Sequence, residues 1–87
     1  MGSLERSRGV KMISDFKGKN LRVYIDYEEK TVPALSYIKA KTVALRNFGY
    51  TNLTEETVMK QILAILNKEK LDVIGLFMEG EVLWIEE

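Results

Sequence analysis

The sequence predicts an α+β domain: a three-stranded, mostly antiparallel sheet with two helices on one face, in the order β-α-α-β-β, behind a flexible basic N-terminal arm. Three observations carry that expectation. Residues 21–27 alternate apolar and polar side chains, as a half-buried strand does. Two stretches, beginning near Val32 and at Thr54, repeat apolar residues at steps of three and four. The last seventeen residues, 71–87, hold two apolar runs around Glu79-Gly80, which reads as a second pair of strands joined by a tight turn.

Residues 1–19 lack sustained periodicity and are rich in Ser, Gly, Arg and Lys, so they are assigned to a flexible arm, in which Met12, Ile13 and Phe16 can make a short docked turn. Residues 20–87 are then a single domain. In the first strand Leu21, Val23, Ile25 and Tyr27 share one face, and Arg22, Tyr24 and Asp26 the other. Glu28-Glu29-Lys30 is read as a polar connector. The first helix is expected over about 32–47, with Pro33 in its first turn and Leu35, Ile38, Thr42, Leu45 and Phe48 as the apolar stripe. Gly49 supplies its left-handed terminus, with Tyr50 folding back on Leu45.

The second helix begins at Thr54, a side chain that accepts hydrogen bonds from free N–H groups. Glu55 and Glu56 suit the positive end of the dipole, and Leu53 with Val58 forms a hydrophobic staple. Its body, Val58, Met59, Ile62, Leu63, Ile65 and Leu66, is apolar over more than half the circumference, as in a helix covered on two sides.

In the expected C-terminal hairpin, Glu79-Gly80 sets Phe77 opposite Val82, Leu76 opposite Leu83, and Gly75 opposite Trp84. One face would carry Ile74, Leu76, Met78, Leu83 and Ile85; the other would carry Val73, Phe77, Val82 and Trp84. The chain's own helices cover the first face. The second is the expected interface, burying Val73, Phe77, Val82 and Trp84 against another protein or, in a homodimer, against a second copy of the chain. A chain of 87 residues without cysteine buries a modest core, and association is a common supplement at that size.

Chemistry is harder to find. With no His and no Cys, the commonest general base and the strongest nucleophile are missing. No glycine-rich phosphate loop and no calcium loop is present, so neither catalysis, a cofactor nor a metal is expected. No apolar run is long enough to span a bilayer, and a cytoplasmic protein is the expectation.

The chain has 13 basic and 13 acidic residues, unevenly placed. Residues 1–22 carry six bases and two acids, while 71–87 carry five acids and no base. The alternative function is therefore nucleic-acid binding, RNA before DNA, through phosphate contacts from Arg6, Arg8, Lys11, Lys17, Lys19, Lys39 and Arg46. The expected element order is similar to the core order of RNA-binding KH domains. Between its helices, however, Gly49-Tyr50-Thr51-Asn52 has one glycine where their GXXG clamp has two.

Overall fold

A computed structural model describes residues 12–86. Its order is a 3-10 turn (Ile13–Phe16), β1 (Asn20–Ile25), β2 (Glu28–Pro33), α1 (Ala34–Phe48), α2 (Glu55–Leu66), α3 (Val73–Met78) and β3 (Val82–Glu86). The predicted class holds: an α+β domain on a three-stranded antiparallel sheet. The order of elements differs from the expectation at two places, and both bear on function.

The first difference is the hairpin, which joins β1 to β2 rather than closing the chain. β1 pairs with β2 from Asn20↔Pro33 to Ile25↔Glu28, leaving a two-residue turn at Asp26-Tyr27. Both turn residues have positive φ, 55° and 65°. Such a backbone matches the twist of a hairpin, and Asn-Gly is its usual sequence. Glu28-Glu29-Lys30, expected as a connector, is thus the start of a strand. β2 lies at the sheet edge and is exposed along most of its length, so nothing imposes an apolar alternation on it.

The second difference is the segment 73–78, which is a helix and not a strand. Asp72 caps it: one carboxylate oxygen accepts from the N–H groups of Ile74 (2.9 Å) and Gly75 (3.2 Å). Ile74 and Met78, one turn apart, go into the core, and Gly75 lies against α2. A Cβ at Gly75 would run into Gln61 Oε1 and stand 3.0 Å from Leu71 Cβ, so the bare glycine permits this close approach. The pairing of Gly75 with Trp84 therefore does not exist. Nor does the expected C-terminal hairpin face.

Two smaller readings also shift: Tyr27, expected on the core face of the first strand, is a turn residue 94% exposed, and Val32 and Pro33, expected in the first helix, end β2, so α1 starts at Ala34. The helix ends follow the sequence closely. Gly49 ends α1 with φ of 142°, and the N–H of Tyr50 donates back to Leu45 O (3.0 Å). Thr54 caps α2 by accepting from the N–H of Thr57 (3.2 Å), and Leu53 and Val58 are both buried. Residues 12–19, assigned to the arm, are folded where described. The turn at Ile13–Phe16 places Phe16 fully inside the core, so the domain starts before residue 20.

β1 is the middle strand, between β2 and β3. Leu21, Val23 and Val82 point to one face and meet Ile38, Leu45, Val58, Met59, Ile62, Ile74 and Met78 in a single core. α1 covers β1 and β2, α2 covers β3, and α3 packs against α2 and sends Ile74 and Met78 into the same core. The second side of the wide α2 stripe is thus covered by the chain itself. Among the described residues, no element covers the other face of the sheet.

Candidate functional site

Because 73–78 is a helix, the four side chains expected on one hairpin face are dispersed. Val82 is buried in the core. Trp84 lies on the open face of the sheet, opposite Arg22. Val73 and Phe77 stay together, on the outer side of α3. Helix positions 73, 76 and 77 lie on one side of a helix, while 74, 75 and 78 lie on the other.

That outer side is apolar. Val73 is 49% exposed, Leu76 59% and Phe77 39%. Phe77 also joins two rings from the end of α1. Its centroid lies 5.3 Å from Phe48 and 5.8 Å from Tyr50, both edge-on, while Phe48 and Tyr50 stack at 6.3 Å. Phe48, expected at the end of the buried α1 stripe, is instead 69% exposed. Phe48 is the last residue of α1, and its ring meets Phe77 of α3 rather than the core.

On its other flank α3 borders a groove of about 380 Å³, lined by Ala64, Ile65, Lys68, Glu69, Leu71, Leu76 and Glu79. Leu76 and Phe77 are consecutive helix positions, about 100° apart. Leu76 therefore joins the groove, whose lining is half polar, to the aromatic triad in one belt around α3. At about 150–200 Å² per residue, the exposed parts of Phe48, Val73, Leu76 and Phe77, backbone included, amount to roughly 400 Å². A patch of that size is as large as a monomer commonly shows, and it often marks a contact site.

The open sheet face is different in kind. Arg22 on β1 sits between Glu29 on β2 (Nε to Oε2, 3.2 Å) and Glu86 on β3 (Nη2 to Oε2, 3.4 Å), with its guanidinium 5.3 Å from the Trp84 ring centre. The close Nε approach is an ion pair without an aligned hydrogen bond. Trp84 and Tyr24 are each 45% exposed here, next to charge rather than to more oil.

A third cluster holds the layers together. The Tyr37 hydroxyl donates to Glu81 Oε1 (2.6 Å), and Lys41 Nζ donates to the same oxygen (2.8 Å). Burial raises the Tyr37 pKa above its ordinary value, and the hydrogen bond to Glu81 and that carboxylate's charge raise it further. These groups tie α1 to the turn that enters β3.

The cationic residues considered for phosphate binding are spread out. Arg6, Arg8 and Lys11 lie outside the described residues. Lys17 and Lys19 flank the turn into β1, Lys39 is exposed on α1, and Arg46 donates from Nε to the Leu53 carbonyl (2.7 Å), bracing the α1–α2 loop. Among the described residues, no group of three or more His, Cys, Asp or Glu side chains is placed to hold a metal ion. No helix there is long and apolar enough to cross a membrane.

The geometry defines a small α+β domain with a wet sheet face and an apolar helical end. Comparison with family models, with curated proteins and with solved structures finds no match in any of the three.

Proposed function

We propose that this chain is a non-enzymatic protein-interaction module, working in the cytoplasm, whose contact surface is the apolar belt around α3. The observation that carries this reading is the exposed pair Phe48 and Phe77, backed by the half-buried Tyr50 and continued by the exposed Val73 and Leu76. Aromatic side chains surrounded by aliphatic ones are the usual anchors of protein interfaces. Among the described residues, the belt lacks the convergent acid, base or nucleophile that would support catalysis. Its charged neighbours, Lys68, Glu69 and Glu79, stand at the rim of the groove, where an interface keeps its polar groups.

The test is purification of the tagged chain from its own host beside the variant Phe48→Lys. The reading expects one protein, which includes an untagged copy of this chain, to accompany the wild type in stoichiometric amount and to be lost with the variant. Equal retention by both forms would move the contact surface elsewhere. A wild type that purifies alone and monomeric would remove the reading.

A further inference from the structure

The geometry points to a second copy of this chain as the occupant of the belt, in a two-fold pair where Phe48 of each protomer enters the α2–α3 groove of the other. This inference rests on the interaction-module reading and names its partner. A two-fold interface must be self-complementary: whatever projects from the patch must find its recess on that same patch. Here both parts are present. Phe48 is the most exposed of the belt's side chains at 69%, and Phe77 packs edge-on against it and holds its ring at one end of the belt. At the other end, across Leu76, is a groove of about 380 Å³ floored by Ala64, Ile65 and Leu71. A recess within the ordinary size range of small-molecule pockets readily admits one aromatic ring.

Charge agrees. The groove's rim carries both signs, Lys68 against Glu69 and Glu79. A mixed rim sets up no single-sign field against a second copy, whereas a rim of one sign would repel it. Area agrees as well. The roughly 400 Å² of exposed apolar surface is about half of the ~800 Å² that each partner contributes to a standard interface, and the polar rim supplies the remainder in such interfaces.

The experiment is sedimentation equilibrium of the full chain across the micromolar range, for wild type, Phe48→Lys, Leu76→Asp and an equimolar mixture of the two variants. The wild type is expected to dimerise, and each variant alone to associate at least about 100-fold more weakly. In the mixture one intact Phe48 meets one intact groove, and at the other contact the introduced lysine faces the introduced aspartate. Heterodimers should therefore form within about tenfold of the wild-type affinity. Lys68→Glu, at an exposed position on the groove's rim, replaces Leu76→Asp if circular dichroism shows the latter to be unfolded.

A wild type that stays monomeric overturns the second copy. If Phe48→Lys still abolishes binding of a foreign protein in the host preparation, the interaction module survives that result. A wild-type dimer indifferent to both variants overturns the inference and the belt together. A dimer broken by each variant but not restored in the mixture overturns the knob-and-groove arrangement alone.

Discussion

Two aromatic surfaces lie on opposite layers of this molecule, and they differ in what accompanies the rings. On the sheet, Trp84 and Tyr24 share their face with Arg22, Glu29 and Glu86, and the guanidinium covers part of the indole. On the helices, Phe48, Tyr50 and Phe77 have each other, Val73 and Leu76. Exposed rings interleaved with paired charges can remain in water at little cost. A contiguous apolar belt is the arrangement that gains from being covered, at roughly 25 cal/mol per Å² removed from water. Trp84 is the larger ring, yet it is the less informative of the two surfaces.

The widest separation between the surfaces should appear in association. Phe48→Lys is expected to weaken self-association at least about 100-fold, equivalent to about 2.7 kcal/mol, whereas Trp84→Ala should change it less than about threefold. Light scattering of both variants at matched concentrations reads the contrast; equal effects would erase it.

Next in size is the joint between the layers. Tyr37→Phe removes a hydrogen bond to a charged acceptor and should cost about 1.5–2 kcal/mol in urea melts, with Lys41 still holding Glu81. Its pH dependence has a definite sign. Folding raises the Tyr37 pKa, so above the ordinary phenol value near 10 the unfolded chain releases a proton that the folded chain keeps. Stability contributed by this group is present below that pH and is lost as pH rises beyond it. The wild type should therefore lose stability more steeply than Tyr37→Phe in alkaline melts, and parallel curves would deny the hydroxyl its buried, carboxylate-bound setting.

Asp72→Ala sharpens the helical side. Loss of the cap that serves Ile74 and Gly75 should destabilise the fold by about 1 kcal/mol and loosen α3, weakening association with it. An unchanged melting curve would mean that α3 does not depend on its cap. The smallest effect belongs to the sheet face. Arg22→Ala should cost up to about 1 kcal/mol, shrinking as salt is added, because its partners are partly exposed. A larger, salt-insensitive loss would show that face to be a packed surface after all.

The parts of this fold that can be read from sequence are those with punctuation. Gly49, Thr54 with Glu55 and Glu56, and the Leu53–Val58 staple place α1 and α2 correctly, since each satisfies a backbone group or a contact that a helix end requires. β2 escapes because an exposed edge strand needs no apolar face, and its turn uses Asp26-Tyr27 at positive φ without a glycine. α3 escapes because Val73 and Ile74 are β-branched and Gly75 breaks a helical pattern. The signal lies one residue earlier, in Asp72, and in the one-turn spacing of Ile74 and Met78. Of the expected interface, Val73 and Phe77 remain on a shared surface; Val82 and Trp84 do not, since a helix at 73–78 leaves β3 to pair with β1. In the sequence Phe48 reads as the last residue of a buried stripe and Tyr50 as a helix-end residue, and their meeting with Phe77 is a tertiary contact that no local pattern announces.

Dilution of the isotope-labelled chain, followed by amide chemical shifts, addresses the belt most directly. Concentration-dependent shifts confined to residues 47–51, 64–69 and 71–79, with Arg22, Tyr24 and Trp84 unmoved, are the predicted result. Shifts centred on Trp84 and its strand neighbours while α3 stays silent would contradict it.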